Sequence, residues 1–275
     1  MSRRFINNRF VRGLTKIYLK YFPVYFNGFW YYLNEGNYGL VPQIVGGNFE
    51  SNNFQTIKSY LKDGDHVVDV GAHVGLYSLY FSKLVGEEGK VYSFEPEINN
   101  FKLLLKNIKL NHLNNIYPKK IAISDRKGVG KLYLSQKSNW DHRLFNPKDE
   151  KRNIVNVKKN KLDNIFHNKR IDFVKIDVQG LEEKCLDGMS NLIIESRNLV
   201  LFIEFWPNGL REAGSKPEKF IKKIKSFGFK IYRVEEDSVG LISLKNFKKL
   251  LNLPGYDHVN LLCIKNSFYQ NEKNS

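Results

Sequence analysis

An α/β fold built on a doubly wound, mostly parallel sheet is what this sequence predicts, and three observations predict it. Short apolar and β-branched runs alternate with helix-period patterns along the chain. One run, Val67 to Val70, breaks into the turn Gly71-Ala72-His73-Val74-Gly75 and opens directly into a helix. Acidic residues end four predicted strands, which is where open α/β sheets bind ligands.

Strands are expected near His66–Val70, Lys90–Phe94, Ile116–Ile123, Asp172–Asp177 and Leu199–Phe205, because each is an apolar run bounded by turn residues. Helices are expected near Val74–Val85, Glu97–Asn111, Gly180–Met189 and Pro217–Phe227. Phe229–Val234 and His258–Lys265 complete the set as an antiparallel edge. Between Ser135 and Asn160 the pattern lapses into a polar insertion, and loops of that length are usually functional.

The N-terminal region differs. Arg3, Arg4, Arg9, Arg12, Lys16 and Lys20 intersperse with apolar residues, predicting a basic helix with an apolar stripe. The aromatic run Tyr21 to Tyr32 follows, too short and too interrupted by Pro23, Asn27 and Gly28 to span a bilayer. It also lacks the cleavage site of a secretory signal. Packing onto the main domain as a lid or dimer arm is favoured; peripheral membrane contact is the second expectation.

Composition bounds the rest. A chain of 275 residues with 42% hydrophobic content can bury one substantial core. Cys185 and Cys263 are its two cysteines, so a disulfide framework is excluded and a reducing, cytoplasmic setting is implied. Both read as small buried hydrophobes. The net charge of +16 invites nucleic acid, an anionic membrane or an acidic substrate. Lysine is spread along the whole chain, however, and no RNA-binding signature with stacking aromatics is present.

The glycine turn has G-x-x-x-G spacing behind Asp69, unlike the G-x-G-x-x-G that seats a pyrophosphate. That pattern suits S-adenosylmethionine, which carries an amino-acid tail and a sulfonium in place of phosphate. Glu95, ending the next strand, could accept both hydroxyls of a ribose.

These segments resemble class I methyltransferases of the FkbM family. The resemblance is carried by Val68 to Ser78, Phe94-Glu95-Pro96-Glu97, Ile121 to Asp125, Phe173 to Glu182 and Phe202 to Pro207, in family order. A weaker match follows at Val259 to Leu262. Two positions depart from the pattern: His73 stands where the family usually has asparagine, and Gln179 where it usually has glutamate. The resemblance implies a Rossmann-like seven-stranded, mostly parallel sheet with an antiparallel last strand, plus an N-terminal helical extension. It divides the chain into an extension (1–45), a methyltransferase domain (46–268) and a polar tail (269–275).

It also implies site roles. Asp69 orients the turn and reaches the methionine part, and the backbone of Gly71, Ala72, His73 and Gly75 lines the cofactor. Glu95 holds the ribose, while Ala122, Ile123 and Ser124 flank the adenine. Glu50, Tyr77, Ser78, Pro96 and Val178 complete the cofactor set. Asp177 sits at the reaction centre, as base or as orienter of an acceptor hydroxyl; its neighbour Lys175 is expected on the strand's other face, in a structural role. Asn139 to Arg143 resembles an Asp-His-Arg motif of part of the family, with Trp140 in place of a glycine, which makes His142 a second candidate base. Glu204 is placed to bind acceptor hydroxyls and Trp206 to offer a sugar a flat face. Asp177, Glu182 and Glu204 could be imagined around a hard cation, but nothing in their spacing requires one, so no metal is assigned.

The expected activity is O-methylation of a hydroxyl on a glycan or small metabolite. An RNA methyltransferase and a non-catalytic cofactor- or partner-binding protein are the alternatives.

Overall fold

The structure, a computed structural model, describes residues 18–19, 21–33, 41–47, 49–136, 138–147, 151–234, 239–241 and 244–265. Most of the predicted basic helix and all of the polar tail lie outside the described residues.

The main sheet is eight-stranded. Its strands are β3 (His66–Val70), β4 (Lys90–Phe94), β5 (Ile116–Lys119), β9 (Phe173–Ile176), β10 (Val200–Phe205), β11 (Phe229–Val234), β12 (Val239–Leu241) and β13 (Val259–Lys265). Their order is β5-β4-β3-β9-β10-β13-β11-β12, with β13 antiparallel to both β10 and β11. The first seven form the expected Rossmann-like sheet; β12 adds an antiparallel edge that the sequence pattern did not announce.

β3 and β10 are central and covered on both faces, which explains their near-continuous apolar character. Alternate residues feed two cores. Val68, Val70, Val174, Ile176, Leu201 and Ile203 face the helices Glu182–Asp187 and Pro217–Ser226. Val67, Phe173 and Phe202 face the helix Leu76–Val85. Full burial of each such side chain contributes about 1.5–3 kcal/mol.

Two expectations are corrected here. The predicted strand Ile116–Ile123 is two: β5 pairs with β4, and the chain then turns so that β6 (Ala122–Ile123) joins another sheet. Pro118 offers no N–H to a further neighbour, consistent with β5 being an edge. The supposed irregular insertion is partly regular, because β8 (Asn153–Asn160) pairs antiparallel with β7 (Gly128–Leu134) in the sheet β6-β8-β7.

The aromatic run near the N-terminus folds as a hairpin, β1 (Val24–Phe26) and β2 (Phe29–Tyr31), rather than continuing a helix. Asn27 and Gly28, both with positive φ, supply its turn. Val24, Phe26, Phe29 and Tyr31 are buried in the core beside the helix Leu76–Val85, so the hairpin does pack onto the main domain. No helix among the described residues is long and apolar enough to cross a membrane. Cys185 and Cys263 are free and buried, as expected.

Candidate active site

Where β3, β4 and β9 end, the chain leaves a cavity that opens to solvent. Its floor requires glycine. Gly71 has φ of 80°, and a Cβ there would lie 1.9 Å from the Asp177 carbonyl oxygen, so only glycine lets the β3 and β9 ends approach. Gly75 (φ 97°) then starts the helix Leu76–Val85.

Eleven expected cofactor residues line this cavity: Glu50, Gly71, Ala72, His73, Tyr77, Glu95, Pro96, Ala122, Ile123, Asp177 and Val178. Asp69, Gly75 and Ser78 stand behind the wall and support it. Ser124 does not line it: the Ser124 N–H donates to the Asn160 carbonyl at 2.9 Å and its hydroxyl to Asp125 at 2.9 Å. With β6 paired to β8, Ser124 stays buried away from the cavity lining.

One end is apolar, with Ile121, Ala122, Ile123, Leu132 and Leu144. Beside it, Glu95 accepts the N–H of His73 at 2.9 Å through one oxygen and the N–H of Glu97 at 2.8 Å through the other. Each oxygen keeps acceptor capacity for a ligand hydroxyl. Burial, reinforced by Glu97 and Asp69, raises the Glu95 carboxyl to about 8 in spite of those two N–H donors. Asn100 also lines the cavity, and its Nδ2 donates to the Asn139 carbonyl at 3.2 Å. That fixes the amide and leaves its buried Oδ1 without a hydrogen bond. An apolar slot for a planar base, a carboxylate for a diol and an unsatisfied acceptor together fit the adenosine part of S-adenosylmethionine.

The opposite end is charged. Lys175 was expected to face away, but residues two apart in a strand share a face, so Phe173, Lys175 and Asp177 point the same way. The Lys175 ammonium lies 3.6 Å from Asp69 and 3.5 Å from Asp177, and 4.7 Å from the Tyr77 ring centroid. Burial opposes its charge, yet Asp177 and Asp69 outweigh burial and raise its pKa. Asp69 is fully buried; one oxygen accepts the Ser78 hydroxyl at 2.6 Å, and Ser93 in turn donates to Ser78 at 2.8 Å. Its other oxygen has no hydrogen bond, only the Lys175 contact.

Gln179, at φ 54°, is held in a left-handed conformation. Its amide nitrogen donates both to Asp177 at 2.9 Å and to Glu204 at 3.0 Å. The two carboxyls respond oppositely. Burial pushes Asp177 up, but Lys175 and the Gln179 amide prevail and hold it ionised. Burial, together with Asp177 and Glu182, pushes Glu204 well above the carboxylate range. Glu182 caps the same turn, accepting the N–H of Val178 at 3.3 Å and of Gly180 at 3.0 Å. No group of three or more His, Cys, Asp or Glu among the described residues could hold a metal ion.

The insertion closes the cavity from above. Trp140 stacks on His73 with centroids 5.4 Å apart, and burial holds His73 neutral, down at about 3. His142 lines the cavity, and its Nδ1 accepts the Ser135 N–H at 3.1 Å. A neutral imidazole with Nδ1 accepting carries its proton on Nε2, so it presents a donor to the cavity. That geometry disfavours the role of base. The flanking residues brace the loop: fully buried Arg143 pairs with Asp141 at 2.5 Å and Glu212 at 2.7 Å, and Arg152 pairs with Asp141 at 2.6 Å. Trp206 is only 3% exposed, stacks on Tyr256 and carries Arg143 over its ring. It is packing, and the indole that lines the cavity is Trp140.

Several cavity residues escaped sequence reading. Phe49, Asn100 and Trp140 lie outside any strand end, and Lys175 was assigned the wrong face. The strand period at Phe173-Val174-Lys175 could have found the lysine.

The methyltransferase FkbM domain model matches residues 69–231, more than half of the chain. No curated protein matches the sequence. Among solved structures, a candidate rRNA methylase from Clostridium thermocellum is 15% identical, with a TM-score of 0.48, covering 78% of this chain and 95% of that one. A SAM-dependent methyltransferase from Aquifex aeolicus is 19% identical, with a TM-score of 0.41, covering 76% and 87%. Fibrillarin from Aeropyrum pernix, bound to S-adenosylmethionine, is 15% identical, with a TM-score of 0.44, covering 78% and 74%. Likeness at this level says nothing of the acceptor. The domain match spans both the glycine turn and the Asp177 strand end, and the chain belongs to the FkbM methyltransferase family, with S-adenosylmethionine as its methyl donor.

Proposed function

We propose that the protein is an O-methyltransferase acting on a hydroxyl of a sugar, a glycan or a small hydroxylated metabolite. The observation that carries this reading is the pair Asp177 and Glu204, two carboxyls bridged by one Gln179 amide, with Asp177 pushed down and Glu204 pushed up. Environments that push two titratable groups apart separate an acceptor of protons from a donor.

When bound, S-adenosylmethionine supplies an electrophilic methyl on a sulfonium. The protein must align a nucleophile with it and remove the proton of a hydroxyl. Asp177, ionised and lining the cavity, accepts the hydrogen bond of the acceptor hydroxyl and takes its proton as the O–C bond forms. Lys175 keeps that carboxylate charged before the reaction. Gln179 binds Asp177 Oδ1 and Lys175 lies 3.5 Å from Oδ2, and each oxygen keeps a lone pair for the acceptor hydroxyl. Glu204, its carboxyl pushed up by burial and by Asp177, holds the other side of the Gln179 amide and so braces Asp177 from behind the cavity wall. His142 offers a further donor through Nε2, and Trp140 with His73 narrows the entrance.

The test is an acceptor screen with methyl-labelled S-adenosylmethionine against nucleotide sugars, free glycans, hydroxylated metabolites and total RNA. Label in an acid-stable methyl ether of a hydroxylated acceptor is the expected outcome. Label in RNA alone would overturn the reading, and the net charge of +16 is the reason for including that arm.

A further inference from the structure

The N-terminal hairpin has two unlike faces. Its strands alternate strictly, with Val24, Phe26, Phe29 and Tyr31 buried and Tyr25 and Trp30 outward. Tyr25 is 57% exposed and Trp30 48% exposed, and their rings lie 5.2 Å apart. Just before the hairpin, Tyr18 and Phe22 stack at 5.2 Å while each remains about half exposed, and Tyr21 is 60% exposed. Five large aromatics are therefore exposed on the hairpin and on the turn that leads into it.

That surface is rigidly held. Asn111 accepts the Trp30 N–H at 2.9 Å and donates to the Trp30 carbonyl at 2.7 Å. Asn107 makes the same pair of bonds to Tyr32, at 2.7 and 3.1 Å. The exposed rings are thus presented on a platform fixed to the helix Ile98–Leu110 rather than on a loose arm.

The charge around it has one dominant sign. Residues 1–34 contain six arginines and lysines and no acidic residue. Lys102, Lys106 and Lys109 are exposed on the helix that carries the hairpin, and the Lys106 ammonium sits 3.1 Å from the Tyr32 ring centroid. Exposed Lys83 lies beside the hairpin turn at Gly28.

We propose that this aromatic face, with the exposed lysines beside it, docks the enzyme on an anionic lipid surface. Tyrosine and tryptophan partition to the membrane–water interface, and clustered lysine and arginine are drawn to anionic headgroups. A second copy of the chain is a poorer occupant, because a two-fold contact would set one basic patch against another. Single-stranded nucleic acid is also poorer, because it needs a groove of free ring faces, whereas here the rings cover one another on a projecting hairpin.

The experiment is co-sedimentation with vesicles of equimolar phosphatidylcholine and phosphatidylglycerol, with pure phosphatidylcholine as control. Binding to the anionic vesicles only, weakened by salt, is expected. The triple variant Phe22→Ser, Tyr25→Ser, Trp30→Ser should partition about tenfold more weakly or worse, while its S-adenosylhomocysteine affinity, read by calorimetry, certifies the fold. Should that variant fail to fold, Trp30→Ser alone is used, with a smaller loss expected. The proposal is overturned by absence of binding to anionic vesicles, by equal binding to neutral ones, or by unchanged binding in the folded variant. A dimer of the wild type that the same substitutions dissociate would overturn it too, as would binding to RNA but not to vesicles.

Discussion

Glu95 offers the sharpest test of the cofactor site, because its ionisation and its ligand compete with burial. The carboxyl is 6% exposed and sits at about 8, so about one molecule in ten carries the charge at pH 7. A ribose diol donates two hydrogen bonds, which favour the ionised form. Affinity should therefore tighten about tenfold per pH unit between pH 6 and 8 and level off above. At pH 7 each binding event should release close to one proton, about 0.9. The probe is 5′-methylthioadenosine, which keeps adenine and ribose but lacks the amino group that would itself titrate near pH 8. Calorimetry in two buffers of different ionisation enthalpy counts the protons. Glu95→Gln should bind more weakly at pH 9 and show no such slope. The linked stability has the opposite sense. A carboxyl raised from 4.5 to about 8 on folding stabilises fully below the lower value. That contribution is lost as pH rises towards the upper value, on the order of 1 kcal/mol per unit. Urea midpoints of the unliganded wild type should fall between pH 5 and 8, and those of Glu95→Gln should fall less. Affinity of the wild type that is flat in pH, with no proton released, would refute the reasoning.

Three further outcomes follow from the same geometry. Lys175→Met leaves Asp69 and Asp177 buried without their cation, and urea unfolding should show a loss of about 3–5 kcal/mol. Gly71→Ala drives a Cβ to 1.9 Å from the Asp177 carbonyl, so S-adenosylhomocysteine affinity should fall more than tenfold; unchanged affinity would mean the two strand ends separate freely. Gln179→Glu replaces a shared donor by a third carboxyl, which should move the acid limb of the pH–rate profile upwards by about a unit or more.

Much of this was legible in the sequence, for identifiable reasons. β3, β4 and β11 begin and end where the apolar runs and turn residues predict: β3 is central and continuously apolar, while β4 and β11, nearer the edges, show an apolar–polar alternation. Of the carboxylates that end strands, Glu95 and Asp177 line the cavity, while Asp69 and Glu204 stand behind its lining, because strand-end residues converge at the sheet's carboxyl edge but only some side chains reach the crevice. β8 was missed since its residues Asn153 to Asn160 are mostly exposed and lysine- and asparagine-rich, so no apolar alternation marks it. Trp206 and Trp140 were confused, because sequence carries no sign of which indole another element covers. Asn100 was invisible for a related reason: it gains its role from a backbone carbonyl, Asn139, 39 positions away.

Methyl transfer by Asp177→Asn measures the central claim most directly, with the acceptor found in the screen, at saturating S-adenosylmethionine and in a single turnover. Loss of the proton acceptor should slow the chemical step about 10²–10⁴-fold, with cofactor affinity essentially unchanged. A variant that transfers methyl at the wild-type rate would contradict the account, and the proton would then have to leave by another route.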